Sequence, residues 1–277
     1  MTEIVAGYPG PPGSHSSVAC ERLVPVGERR AMPSFAAVID GTTAWDLTVG
    51  VLPIESSLSG PVAETHDLLY RSSLSIVAET VIPVEHCLLA RPGTVLEDVR
   101  VVRTHPEAFA QCRQLLRELG ITRRVASATT ADAAREVSER EGGVEAAIAS
   151  RHAGALYGLE VLVARAGDRD DASTRFVAVK PFTELVRDGR PWRSALTFCT
   201  DHAPGALYRA LGPISELDVN LVQLVSRPLP DSPWRYRFDA VVDGHPLDDN
   251  IAEALRRLRR LTKELRVVGS YPAEHQR

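Results

Sequence analysis

The chain has 277 residues and a formal net charge of -4, with 44% apolar and 25% charged residues. That length holds one large domain or two ordinary ones, and the composition is that of a soluble globular protein. The negative balance argues against a nucleic-acid or anionic-membrane partner. No apolar run is long enough for a bilayer and the start does not read as a secretory signal, so a cytoplasmic protein is expected. Cys20, Cys87, Cys112 and Cys199 are scattered, without the close pairs of a zinc or redox motif, and read as reduced apolar fillers.

In chain order, Ile4 to Ala6 reads as a short strand, and Gly7 to Gly13 as a turn too rich in glycine and proline for helix. These glycines do not form the dinucleotide fingerprint, because the prolines break both its turn and its helix. Ser14-His15-Ser16-Ser17 leads into a helix over Val18 to Leu23. Serines there are natural N-caps, and a helix N-terminus also offers N–H groups to a carboxylate or phosphate. Ser34 to Ile39 predicts a helix carried on towards Thr43. Leu47 to Ile54 is β-prone and runs into Glu55-Ser56-Ser57. A carboxylate and hydroxyls thus stand at a strand end, where open α/β sheets bind ligands.

Thr65 to Tyr70 reads as helix, Leu74 to Leu89 as one or two strands, and Val99 to Val102 as another strand. A helix is predicted from Thr104-His105-Pro106, with proline in its first turn, to about Leu119, and it carries Gln111 and Cys112. Thr129-Thr130-Ala131-Asp132 opens a further helix. Then come a strand at Ala146 to Ile148, a helix from His152 to Leu159 and a strand from Leu162 to Ala166. After the acidic loop Asp168 to Asp171, Ser173-Thr174-Arg175-Phe176 opens a strand to Val179. Its hydroxyl beside a guanidinium reads two ways. It is a proton donor next to a carboxylate clamp, or a strand start next to a surface arginine.

Lys180 to Pro191 is polar and reads as a linker. Beyond it a strand from Trp192 to Phe198, a helix from Gly205 to Leu217 and a strand from Val219 to Ser226 are predicted. A Pro228 to Pro233 turn region, a strand from Arg235 to Val242, a helix from Asn250 to Leu265 and a strand from Val267 to Ser270 follow. That order, βαββαβ, predicts a ferredoxin-like domain. Arg256, Arg257, Arg259 and Arg260 form the solvated face of a helix whose Leu255, Leu258 and Leu261 face a sheet.

In register, these stretches resemble the prephenate dehydratase family with a C-terminal ACT regulatory domain. The residues that carry the resemblance are Gly10 to Ser14, Pro53 to Ser57, His105 to Cys112, Thr130-Ala131 with Ala133-Ala134, and Thr174-Arg175-Phe176. In the second part they are Gly205-Ala206-Leu207, Ser226-Arg227-Pro228 and Gly269 to Pro272. The resemblance implies an α/β catalytic region with two lobes, like type II periplasmic binding proteins, over residues 1–185. Lobe one would comprise about 1–90 and 164–185, lobe two about 91–163, and the ACT domain 190–273.

The resemblance further implies a carbon–oxygen lyase that removes water and carbon dioxide from prephenate to give phenylpyruvate, without metal or organic cofactor. Thr174 would be the acid, with Arg175 and Glu55 beside it. Ser14, Ser56, Ser57, Thr104, Gln111, Thr130 and Phe176 would bind substrate. An amino-acid effector would bind at Gly205, Ala206, Leu207, Ser226 and Arg227 of paired ACT domains in a homodimer or homotetramer. The chain departs from the family pattern at Ser56 and Ala172, both usually asparagine, at Glu107, usually glutamine, and at Val225, usually glutamate. The departures leave open a non-aromatising prephenate decarboxylase, an enzyme acting on a modified prephenate, and a non-catalytic amino-acid sensor.

Overall fold

A computed structural model describes residues 4–140, 142, 144–181, 187–229, 232 and 234–274. The first sheet begins with β1 (Val5–Pro9), β2 (Glu28–Met32), β3 (Val49–Ser56), β4 (Gly60–Pro61) and β5 (Ser75–Pro83), with α1 (His15–Leu23), α2 (Phe35–Thr43) and α3 (Ala63–Arg71) between them. β1 runs parallel to both β2 and β3. β3 is buried along most of its length, as its apolar sequence requires.

The chain then builds a second sheet. Its elements are β6 (Cys87–Ala90), β7 (Val101–Thr104), α4 (Pro106–Gln111), α5 (Arg113–Glu118), β8 (Arg123–Ala126), α6 (Thr130–Ser138), β9 (Glu145–Ala149), α7 (Arg151–Leu156) and β10 (Glu160–Val163). The strand order is β10-β6-β9-β7-β8. The chain returns as β11 (Ser173–Lys180), which pairs antiparallel with both β3 and β5.

The last third forms β12 (Trp192–Cys199), α8 (Ala206–Glu216), β13 (Leu221–Pro228), β14 (Tyr236–Asp243), α9 (Asp249–Leu261) and β15 (Glu264–Pro272). This is the predicted βαββαβ unit, with strand order β13-β14-β12-β15 and both helices on a shared core that includes Leu196, Phe198, Ile214 and Leu258. β15 also touches β5 at the pair Gly269–Ile76, so this sheet continues into the first one. A side chain on Gly269 would stand 2.2 Å from the Ile76 carbonyl oxygen. The seam therefore closes only around glycine.

Several expectations are corrected. Gly7-Tyr8-Pro9 lies in β1 instead of a turn, because parallel neighbours hold it and Tyr8 is buried. The charged β2 was not predicted. It pairs with β1 alone among the described residues and is mostly exposed, so its composition is that of a surface strand. β8, also unpredicted, is the corresponding edge of the second sheet. Cys87 to Ala90, assigned to lobe one, belongs to the second sheet through its pairing with β9. The single helix expected to Leu119 breaks at Cys112. There Asp168 of the acidic loop accepts the amides of Arg113 at 3.1 Å and Gln114 at 2.9 Å, restarting the helix as α5. α9 stops at Leu261, not Leu265, where β15 takes over. Of the expected linker and turn, residues 182–186, 230, 231 and 233 lie outside the described residues. All four cysteines are buried and free, and no helix among the described residues is long and apolar enough to cross a membrane.

Candidate active site

The N-termini of α1, α2 and α6 open onto one cleft of about 520 Å³ between the two sheets. Each is capped by its own side chain. Ser14 Oγ accepts from the Ser17 amide at 3.2 Å, Ser34 Oγ from Ala37 at 3.0 Å, and Thr129 Oγ1 from Asp132 at 3.0 Å. The earlier amides of each helix have no acceptor within the helix, and the aligned peptide dipoles add positive potential there. Gly10 and Gly13 bring the β1–α1 loop against the second lobe, both with positive φ. Tyr157 Oη donates to the Pro12 carbonyl at 2.8 Å and Ser150 Oγ to that of Gly13 at 3.3 Å.

Thr174, Phe176, Ser56, Ser14, Thr130 and Gln111 all line this cleft, so six of the expected site residues come together. Thr174 stands opposite Ser56 across β11 and β3. Ser56 Oγ accepts the amides of Leu58 at 3.2 Å and Ser59 at 3.3 Å, so that hydroxyl shapes the turn after β3. Ala172 also lines the cleft, where the usual asparagine would place an amide.

Four expected residues do not line it. Thr104 is fully buried and donates to the Ile148 carbonyl at 2.6 Å, holding β7 to the β9 end. Ser57 Oγ accepts the Ser173 amide at 2.9 Å and fastens β3 to β11. Arg175 follows the strand alternation to the sheet face opposite Thr174. There it lines a small cavity against the C-terminal βαββαβ unit and pairs with Glu55 at 3.3 Å and Glu79 at 3.8 Å. The expected clamp and its carboxylate partner are thus part of the domain seam.

Among the described residues, no lysine or arginine lines the cleft, and Glu107 is its single carboxylate. The cation-capable side chains there are His15, His86 and His105, whose roles the sequence reading did not assign. His15 does stand in the serine run at the α1 start, where a ring beside a helix N-terminus could have drawn notice. His86 donates through Nε2 to Gln111 Oε1 at 2.7 Å. Burial lowers its pKa, against the opposing Gln111 bond and Glu107 charge. His105 Nδ1 accepts the Glu107 amide at 3.2 Å as the α4 cap.

In the C-terminal βαββαβ unit, Gly205 is the left-handed residue that opens α8, with Ala206 and Leu207 in its first turn, while Ser226 and Arg227 lie on edge strand β13. Arg227 is already engaged by Asp67 of α3, at 2.6 and 3.2 Å.

The chain matches the family model described as prephenate dehydratase over residues 6–182 and that of the ACT domain over residues 194–260. It is 33% identical to arogenate dehydratase/prephenate dehydratase 2, chloroplastic, of Arabidopsis thaliana, over 99% of this chain and 74% of that protein. It is 36% identical to the bifunctional N-acyl-homoserine lactone acylase/prephenate dehydratase of Komagataeibacter europaeus, over 98% of this chain and 96% of that one. A solved structure of prephenate dehydratase in complex with L-Phe, from Arthrobacter aurescens, superposes with a TM-score of 0.89 at 32% identity, covering 98% of this chain and 90% of that one. This chain belongs to the prephenate dehydratase family and carries a C-terminal ACT domain.

Proposed function

We propose that the chain is a prephenate dehydratase of aromatic amino-acid biosynthesis, with Thr174 as the acid. The observation that carries this reading is the position of the Thr174 hydroxyl in a cleft walled by three helix N-termini. Prephenate is a dicarboxylate whose ring hydroxyl leaves poorly unless protonated. Thr174 gives its proton to that oxygen as the C–O bond breaks and water departs. The ring carboxylate leaves as carbon dioxide, and its bonding electrons complete the aromatic ring. One proton is consumed per turnover and returns to Thr174 from solvent. Helix N-termini offset the charge that the threonine oxygen develops. A positioned acid contributes roughly 10²–10⁴ in rate.

Incubation with prephenate and identification of the product tests the reading. Phenylpyruvate supports it, a dihydro-hydroxyphenylpyruvate points to decarboxylation without dehydration, and unchanged prephenate points to a sensor. Thr174→Ala should lower turnover by about two orders of magnitude or more, with a smaller effect on binding. Turnover within a few-fold of the parent would remove Thr174 as the acid.

Glu107 favours a second reading, in which arogenate is the substrate. Arogenate bears an ammonium where prephenate has a ketone, and Glu107 is the cleft carboxylate able to pair with it. The ratio of kcat/KM for the two substrates decides. Glu107→Gln should move that ratio towards prephenate by about tenfold, since a charge-assisted hydrogen bond contributes about 1.5–3 kcal/mol.

For regulation, an amino-acid effector would bind at paired ACT domains, near Gly205, Ala206, Leu207, Ser226 and Arg227, in a homodimer or homotetramer. The edge position of β13 and its alternating exposure support that pairing.

A further inference from the structure

The cleft has to accept a dianion without a permanent cationic side chain in its described lining. Three helix N-termini supply partial charges of about half a unit each, and Glu107 opposes them. Of the three lining imidazoles, His105 is occupied as a helix cap. His15 Nε2 and His86 Nδ1 are both buried and have no hydrogen-bond partner. Buried polar atoms of this kind call for a partner. Here the two belong to side chains lining the same cleft, His15 at the start of α1 and His86 beside Gln111 of α4. The His86 ring is 6% exposed, and its Nε2 bond to Gln111 fixes Nδ1 as the unprotonated nitrogen.

Resting on the reading of the substrate as a dicarboxylate, we propose that His15 is a substrate-binding residue that takes up a proton as one carboxylate docks. His86, oriented by Gln111, forms the second imidazole wall of that subsite. The charged and titratable groups around the pair are His152 from α7, Glu107 in α4 and the α4 cap His105. In the free protein, burial first and then the His86 and His152 rings hold His15 down at a pKa of about 4, so it is neutral near pH 7. A docked carboxylate would give Nε2 its missing partner and favour the charged ring. The bound state then holds a proton that the free state lacks. Affinity therefore falls as pH rises from about 4 to the value His15 takes in the complex, by at most about tenfold per pH unit.

The Thr174→Ala protein, in which turnover is slowed, permits a direct test. Prephenate is titrated into it calorimetrically near pH 6.5, in two buffers of different ionisation enthalpy. The expected result is uptake of close to one proton per prephenate bound. Added separately, His15→Gln and His15→Phe should each abolish the uptake and weaken binding about tenfold, with melting curves showing that the variants fold. Binding without proton uptake, or uptake and affinity unchanged in both folded His15 variants, would overturn the proposal while leaving the dehydratase reading standing. Absence of binding by both prephenate and arogenate would overturn that reading, and this proposal with it.

Discussion

The cleft and the seam between the catalytic lobe and the ACT domain handle charge in opposite ways. The cleft relies on helix dipoles, hydroxyls and imidazoles, with no arginine in its described lining. The seam is dense in permanent charge. Glu79, whose side chain is 0% exposed, receives Arg193 of β12 at 2.7 Å and Arg175 of β11 at 3.8 Å. Fully buried Arg237 of β14 pairs with Asp67 at 2.8 Å and Asp239 at 3.3 Å, and its guanidinium lies 4.4 Å from the Tyr70 ring centre. His66 Nδ1 meets Asp239 at 3.1 Å, and Arg266 donates to the Ser72 and Leu69 carbonyls at the end of α3. Paired buried charges specify one docking geometry but tolerate the loss of a partner badly. A binding cleft needs the reverse, groups whose bonds are still unmade when the ligand arrives.

Glu79→Ala should therefore give the largest effect on stability. It leaves Arg193 with Asp243 alone and Arg175 with Glu55 alone in the seam, and loss of one partner of a buried pair typically costs about 3–5 kcal/mol. A thermal melt would show it as a pronounced fall in Tm. A melt at the parent temperature would mean that the seam charges contribute nothing and that the contrast fails.

Next, Arg175→Lys should lower stability by about 1–2 kcal/mol, since one ammonium cannot serve both Glu55 and Glu79 as a guanidinium does. KM for prephenate should stay within about twofold. A large rise in KM with an unchanged melt would return Arg175 to the cleft, as a carboxylate clamp.

Val225→Glu should sharpen the regulatory side of the seam. The unmodified chain is expected to bind phenylalanine weakly or not at all. An added carboxylate beside Ser226 and Arg227 should tighten binding about tenfold, as one charge-assisted bond allows. Calorimetry on both proteins checks this, and tight binding by the unmodified chain would show that the glutamate is not required.

The smallest effect expected is on acid stability. Burial raises the Asp239 pKa, but the His66 bond, the Arg237 charge and the Thr197 bond outweigh it and leave the group below its ordinary 3.8. At Asp67, likewise, burial raises the pKa, but the Arg227 and Arg237 bonds and charges outweigh it and leave the group lowered. Carboxylates with depressed folded-state values contribute stability that is present above about 3.8 and lost as pH falls through the folded values. Tm measured from pH 5 downward, with Asp67→Asn as comparison, should show a shallower acid decline in the variant, because fewer protons are taken up on unfolding. Equal slopes would remove Asp67 from the linkage.

The sequence by itself determined most of the helices and the buried strands, the ferredoxin-like unit and the family, because apolar periodicity, caps and motif residues are local signals. The serine cap of α1 and the helix start at Thr129-Thr130 read correctly because an N-cap depends only on neighbours in the chain. Thr174 drew notice for the same reason, through its place in a short motif. Only the tertiary structure decided which side of the sheet each motif residue faces. Thr174 and Arg175 are adjacent in sequence, yet strand alternation sends one to the cleft and the other to the ACT seam. β2 and β8 escaped notice because edge strands are held by a neighbour's backbone and need no apolar pattern of their own. The partners of Glu79, and the meeting of His15 with His86, depend on contacts between segments more than 70 residues apart. No local pattern encodes such contacts; they exist only once the sheets have assembled.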